Sequence, residues 1–334
     1  MNYFRNPPGP VEHINLYLNG WYRGFAEAGF DEVCGSDWLG RGQIGSLMNK
    51  LGIQRPLPWS SRTMVSPLAW ASDRDIFPAG FNWRIIPWIY DCWEPDFNKW
   101  ERLLRRLRIT TAFFSARLAA EEFSNRLPNV ACHWLPEAVD PSFYDPGRLL
   151  SGRPIDVLDI GRRFERMHSL LDSGLRTAGI IHRSGPLRSP DGRTGHDALR
   201  AALASTRMLI CYPKSLTHPN QAGRVETATY RYFEGFASRC LVVGQCPAEL
   251  RDLWGFNPVA DVDPSAPLET IIELARSIER HQELVDKNYA RLMEVGCWVH
   301  RACTALNILS RNLLSKETEP VAQRLTAARK STRR

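Results

Sequence analysis

Residues 224–250, RVETATYRYFEGFASRCLVVGQCPAEL, decide how this chain reads. A threonine-bearing loop leads into an aromatic, amphipathic helix. Cys240–Val243 then reads as a buried strand, and Pro247-Ala-Glu-Leu250 opens another helix. An apolar, β-branched run flanked by helical segments is the pattern of an α/β protein, whose parallel strands are covered on both faces. Two carboxylates lie inside the stretch. In one continuous helix Glu226 and Glu234 would stand about 80° apart. They converge only if Glu226 is in the loop and Glu234 in the helix, with Thr227 or Thr229 capping the break. The plainer alternative is two solvated glutamates on one amphipathic helix.

The same rhythm extends outward in both directions. Ile155–Ile160, Ala178–His182 and Met208–Tyr212 read as strands, with helices near 165–175, 195–206 and 227–238 between them. Leu268, Ile271, Ile272, Ala275 and Ile278 mark a further helix, and a last one is expected over Trp298–Leu314. Upstream, Val11–Ala28 and Ala116–Arg126 read as helices. Glu32–Cys34, Arg84–Tyr90, Ala112–Phe114 and Val130–Leu135 read as strands. Trp100, Leu103, Leu104 and Leu107 fall on one helical stripe. Asp145–Pro154 has turn chemistry at both ends and is the expected linker. The expectation is therefore two α/β units, residues 1–149 and 150–314, followed by a basic tail over 315–334.

A length of 334 residues suits two cores rather than one. No segment approaches the roughly 20 apolar residues of a membrane span, and Met1–Pro10 has no signal-peptide core, so a cytoplasmic protein is expected. The eight cysteines form no CxxC pair, which points to free thiols. The eight histidines are scattered and none pairs with cysteine at ligand spacing, so no zinc site is expected. The net charge is +7, and the tail alone carries six Lys/Arg against two acids. That tail is expected to be disordered. Such basicity suits an anionic partner without choosing one.

Asp159-Ile-Gly-Arg-Arg163 is a strand running into a Gly-Arg turn. Gly161 allows close backbone approach to an anion, and Arg162 and Arg163 supply permanently charged donors. A tight turn with surface arginines is the alternative. Asp91 and Glu94 follow the strand Arg84–Tyr90 and are candidates to face a cleft, with Trp88 and Trp93 as candidate stacking partners for a sugar. A core tryptophan and a strand-ending turn explain them equally. Asp261-Val-Asp263 has the form of a metal-binding DxD, but Asp263 reads better as a helix N-cap with proline near N1.

Taken in order, these pieces resemble the glycosyl transferases group 1 superfamily, the GT-B, family-four-like retaining enzymes. The Gly-Arg turn appears as Asp159-Ile-Gly-Arg. A strand ends in Tyr212-Pro-Lys-Ser215, and Glu-x7-Glu appears as Glu226 and Glu234. Leu135-Pro-Glu-Ala-Val-Asp140 stands where the family has its interdomain signature. The spacing of Arg231 and Glu234 is also similar to a divergent, CgeB-like branch. The sequence departs from the family in lacking a lysine after the Gly-Arg turn, where Arg166 and His168 stand, and in replacing two glycines after Glu226 by Thr-Ala-Thr. The first unit shows no clear glycine-rich acceptor loop.

The resemblance implies two Rossmann-like domains facing a cleft, with the last helix crossing back to the first domain. It implies retaining, metal-independent transfer of a hexosyl group from a nucleotide-diphosphate sugar to a glycan, lipid or other hydroxyl acceptor. Arg162 would hold the diphosphate, helped by Arg166, His168 or Lys214. Gly161, Arg163, Thr227 and Arg231 would complete the donor site. Glu226 would bind the donor sugar and Glu234 the ribose hydroxyls. Asp91, Trp93 and Glu94 would face the acceptor. The basic face Lys99, Arg102, Arg105, Arg106 and Arg108 would suit an anionic membrane surface, and an ordinary solvated helix covering the sheet explains it equally. The competing expectation is a catalytically inactive GT-B-like binding protein. A nucleic-acid role has no recognisable binding module behind it.

Overall fold

A computed structural model describes residues 1–5, 12–34, 44, 47, 51, 62–72, 76, 83–162, 164–185, 187 and 195–311. The tail expected over 315–334 lies outside them. The first sheet contains β1 (Asn2–Arg5), β2 (Asp31–Cys34), β3 (Arg62–Leu68), β4 (Trp83–Ile89), β5 (Thr111–Phe114) and β6 (Ala131–Trp134), in spatial order β2-β1-β3-β4-β5-β6. Every pairing is parallel. Helix α1 (Glu12–Glu27) packs on one face, and α2 (Phe97–Arg106) and α3 (Arg117–Arg126) on the other.

Two of these strands escape a reading by pattern. β1 is four residues long, and its two buried residues are consecutive, so it has no alternation to detect. β3 contains Pro67, which argues against a strand, yet pairs with β4 along its whole length from Arg62 to Leu68. Its last five residues are all buried, as expected for a strand covered on both faces.

The second sheet holds β7 (Ile155–Asp159), β8 (His182–Ser184), β9 (Thr206–Cys211), β10 (Leu241–Gly244) and β11 (Ala260–Asp261), in order β11-β10-β9-β7-β8 and again wholly parallel. Helices α4 (Glu165–Thr177), α5 (His196–Ala204), α6 (Tyr230–Ala237), α7 (Ala248–Trp254), α8 (Pro267–Arg276) and α9 (Gln282–Arg291) cover its two faces. The turn-rich stretch 145–154 is tied down at Arg153. Its buried guanidinium donates to the carbonyls of Pro146, Thr206 and Ser238.

Helix α6 begins at Tyr230, three residues later than its pattern suggests. The Thr227 hydroxyl and the Ala228 amide both donate to Glu249, which takes them out of a helix. Thr229 occupies the N-cap position without a side-chain bond to the helix. Asp263 does not cap α8, whose N-cap is Ala266. It accepts instead from the amide and hydroxyl of Ser265, closing a turn before the helix.

The last helix, α10 (298–311), returns to the first sheet. Trp298, Ala302, Ala305 and Leu309 join the core formed by Trp21, Phe25, Trp88 and Phe113. The segment ahead of it forms a parallel bridge between Val139 and Cys297, so the two crossings between the sheets lie side by side. Gly24 permits this contact. A Cβ there would stand 2.5 Å from the Trp298 Cβ and 2.6 Å from its backbone carbon. Gly→Ala inside a helix ordinarily stabilises by about 1 kcal/mol. Gly24→Ala is expected to reverse that sign and destabilise by about 1–3 kcal/mol through overpacking, measurable as a lower urea midpoint.

Candidate active site

Parallel strands deliver their carboxyl ends to one edge of a sheet, and ligands of such sheets bind there. β7 and β9 are neighbours, so the residues that follow them share this edge. After β7 come Gly161 and Arg162. After β9 come Pro213 and Lys214. The first sheet contributes Asp91 and Trp93 after β4, and Glu137 after β6.

These groups act on one another across the cleft. Asp91 keeps surface open to solvent while protein surrounds most of its side chain, as a group on a cleft floor does. Burial raises its pKa, opposed by the charges of Lys214 and Arg162 and by a hydrogen bond with Trp93. Arg162 is similarly placed. Burial lowers its pKa, with Asp91 and then Glu137 opposing. Burial also lowers Lys214, with the Asp91 charge opposing and the Arg162 charge adding to the shift. The His218 imidazole is lowered by burial, then by Arg162 and Lys214. Arg162 and Lys214 therefore flank one accessible carboxylate, Asp91, and His218 stands near the two cations. The Lys214 ammonium also lies over the Trp93 ring, 4.3 Å from its centroid.

Glu137 forms a second acidic position. It is 6% exposed. Burial drives its pKa well above the carboxylate range, Asp91 adds to the shift, and Arg162 and the Tyr230 amide oppose it. A folded-state pKa above the unfolded value of about 4.3 means that the folded chain holds a proton the unfolded chain has lost. Stability from this group is complete below that value and declines as pH rises toward the folded pKa. Glu137→Gln is expected to flatten that decline, seen in urea midpoints taken from pH 5 to 8. An unchanged slope would count against a neutral Glu137.

Glu234 sits deeper, 4% exposed, with both oxygens engaged. Oε1 accepts from the Tyr144 hydroxyl at 2.8 Å, and Oε2 lies 2.6 Å from Arg231 Nη1. Gly161, at φ +89°, holds a left-handed backbone that favours glycine, and it lies beside this arginine. A Cβ there would stand 3.4 Å from Arg231 Nη2. Glu226 is in the loop before α6, half-buried, and its Oε1 accepts from the Ala248 amide at 2.8 Å. Its charge and that of Arg162 both act on the Tyr232 hydroxyl.

The remaining candidates are placed differently. Thr227 is buried and donates to Glu249. Glu94 accepts from both the amide and the Nε of Arg224, at 2.7 and 2.8 Å, so it forms a contact between the two halves of the chain. Trp88 is core and donates from its indole to the Leu135 carbonyl. His168 is buried against Asp159, 3.3 Å from its Oδ2, with His182 beside it. Arg163 and the Arg166 side chain lie outside the described residues. Among the described residues, Asp261 and Asp263 belong to no cluster of three potential metal ligands.

Glu137, Tyr144, His218 and Glu249 are cleft or interface residues that pattern alone does not single out. Glu249 accepts from Thr227, Ala228 and the Arg117 amide, which joins α7 to the start of α3 across the interface. Each sits in a turn or at a helix start, and only burial beside another segment distinguishes it. The basic face of α2 is partly consumed internally, by Lys99 to Asp96 and Arg105 to Glu101. No described helix is long and apolar enough to cross a membrane.

No protein-family model matches the chain, and no curated protein sequence does. Solved structures do. A sucrose-phosphate synthase from Thermosynechococcus elongatus superimposes with a TM-score of 0.60 at 12% identity, over 94% of this chain and 99% of that one. AviGT4, a glycosyltransferase involved in avilamycin A biosynthesis, superimposes with a TM-score of 0.55 at 15% identity, over 94% of this chain and 93% of that one. The chain thus has the GT-B fold, two Rossmann-like halves with parallel sheets, as its motifs led one to expect.

Proposed function

We propose that the protein transfers a sugar from a nucleotide-diphosphate donor to a hydroxyl acceptor. The observation that carries this reading is the pairing of Arg162 and Lys214, from the carboxyl edge of the second sheet, with Asp91 from that of the first, Lys214 lying over the Trp93 ring. A diphosphate leaving group gains negative charge as the glycosidic bond breaks. Fixed cations in a partly desolvated cleft stabilise that charge more in the transition state than in the ground state. Arg162 offers a planar fork for phosphate oxygens, and Lys214 a point charge already partly stripped of water.

Asp91 faces these cations from the first sheet and is the candidate to orient the acceptor hydroxyl, with Trp93 beside it. Glu226 is assigned to the donor sugar. Glu234 is assigned to the ribose, which requires the ribose hydroxyls to replace the Tyr144 hydroxyl on Oε1. Arg231 fixes the Glu234 carboxylate, and Gly161 gives the backbone its approach. Retention and independence from metal in the transfer step follow the family resemblance and belong to the same proposal. So do the glycan or lipid-linked acceptor and the membrane-surface contact through the α2 face.

A second reading has its own support. Both Glu234 oxygens and one Glu226 oxygen are already satisfied by protein donors, as they would be if these carboxylates were structural. That arrangement fits a nucleotide-sugar-binding protein without transfer. A thermal-shift screen with UDP, GDP, ADP, CMP and dTDP, followed by product analysis with the matching sugar nucleotide, separates the two. Ligand binding to the folded state raises Tm by mass action. A shift with one nucleotide together with transfer to an acceptor supports the enzyme. A shift without turnover favours the binding protein. No shift with any nucleotide sinks both.

A further inference from the structure

A second group of buried side chains lies behind the Gly-Arg turn, on the face of the sheet beneath α4. β8 runs parallel to β7 with His182 opposite Val157. Side chains two residues apart on a strand share a face, so Asp159 and His182 point to the same side. α4 covers that side through Met167, Leu171 and Leu175, and His168 follows Met167 into it. One ligand atom from each of Asp159, His168 and His182 lies within 4.8 Å of the other two. The side chains are 6%, 9% and 5% exposed.

We propose that Asp159, His168 and His182 bind a divalent transition-metal ion, with zinc the best fit, at a site separate from the donor cleft. Tetrahedral zinc with bonds of about 2.05 Å sets its ligand atoms about 3.3 Å apart. The distance from His168 Nδ1 to Asp159 Oδ2 is 3.3 Å. His182 must approach by no more than about 1.5 Å to complete the trio at that spacing. Two imidazoles and one carboxylate suit zinc and its first-row neighbours, whereas magnesium and calcium prefer oxygen ligands alone. The two rings are 5.7 Å apart and tilted by 48°, an arrangement that suits ligands turned toward a common point better than a stacked pair.

Asp172 supplies an outer partner. Its Oδ1 is 3.9 Å from His182 Nδ1, close enough to steer the ring of a ligating histidine. Water completes the tetrahedron. A bound ion would tie the first turn of α4 to β7 and β8, directly behind Gly161 and Arg162. The site braces the turn that carries Arg162 and does not depend on the transferase reading.

The test uses the full chain, stripped with a chelator and titrated with Co2+ and then Zn2+. The expected result is about one ion per chain, the intense visible bands of tetrahedral cobalt, their loss on adding Zn2+, and a Tm raised by Zn2+. His168→Asn and His182→Asn are expected to lose the bands and the Zn2+-dependent rise while melting like the parent in chelator. Arg162→Ala is expected to keep both, which separates this site from the nucleotide site. Should an Asn variant fail to fold, Asp172→Asn replaces it, with affinity expected to fall about tenfold. A weak octahedral cobalt spectrum with a Tm indifferent to Zn2+ overturns the proposal. So does tetrahedral binding that survives in both histidine variants, or unchanged affinity in Asp172→Asn.

Discussion

Arg162→Ala is expected to lower kcat/KM for sugar transfer by a factor of about 100–1,000, the usual cost of removing one preorganised donor from developing transition-state charge. The loss should fall mainly on kcat, because the guanidinium meets more negative charge as the diphosphate leaves than it does in the bound donor. Lys214 and His218 remain beside the site, so nucleotide binding should weaken rather than vanish. Arg162→Lys keeps the charge and loses the fork, and should recover part of the rate. The side chain retains solvent-exposed surface, so Tm in the absence of ligand should change little. Steady-state kinetics on the parent and both variants decides the matter. Parent-like turnover in Arg162→Ala would remove this residue from the mechanism, whatever the nucleotide screen shows.

Arg301→Ala is expected to destabilise the protein by about 3–4 kcal/mol, because it strips donors from several buried carbonyls at once. Arg301 is 5% exposed. Its Nε donates to the Pro136 carbonyl at 3.1 Å, Nη1 to Val295 at 2.7 Å and Nη2 to Glu137 at 3.3 Å. Burial lowers its pKa to about 10, so the group stays charged at neutral pH. These carbonyls belong to the two segments that cross between the sheets. Arg301 is thus a clamp on both crossings, and its loss should loosen one half of the chain from the other. Urea unfolding should show a lower midpoint and a broadened or split transition. Arg301→Lys should rescue little, since one ammonium cannot span three acceptors. A single transition at the parent midpoint would show that the crossings hold without the clamp.

Most of the architecture was legible because it rests on local regularity. The stripe of Trp100, Leu103, Leu104 and Leu107 gives a helix wherever it is placed. The apolar runs Ile155–Ile160 and Leu241–Val243 read as buried strands for the same reason. The chain left Glu226 and Glu234 open between a loop-and-helix break and two solvated glutamates on one helix, and the fold decides for the break, with the helix starting at Tyr230. Local pattern failed where a neighbour overrides it. β3 tolerates Pro67 because β4 fixes its register from Arg62 to Leu68. The start of α6 is delayed because Glu249, from another helix, takes the Thr227 and Ala228 donors.

The site divides in the same way. Sequence alone determined the alternating α/β plan, the Gly-Arg turn at a strand end and the presence of Arg162, Lys214, Glu226 and Glu234 in the second half. It could not decide which of them meet. Arg162 and Lys214 are about fifty residues apart, and they share a cleft only because β7 and β9 pair directly. Asp159, His168 and His182 match no ligand spacing along the chain, yet one parallel pairing and one covering helix bring them together. Glu137 is an ordinary glutamate until the second half buries it. Periodicity depends on a few adjacent residues and is written in their order. Strand order, burial and the electrostatic field of a cleft arise from segments far apart in the chain, and only the folded structure sets them.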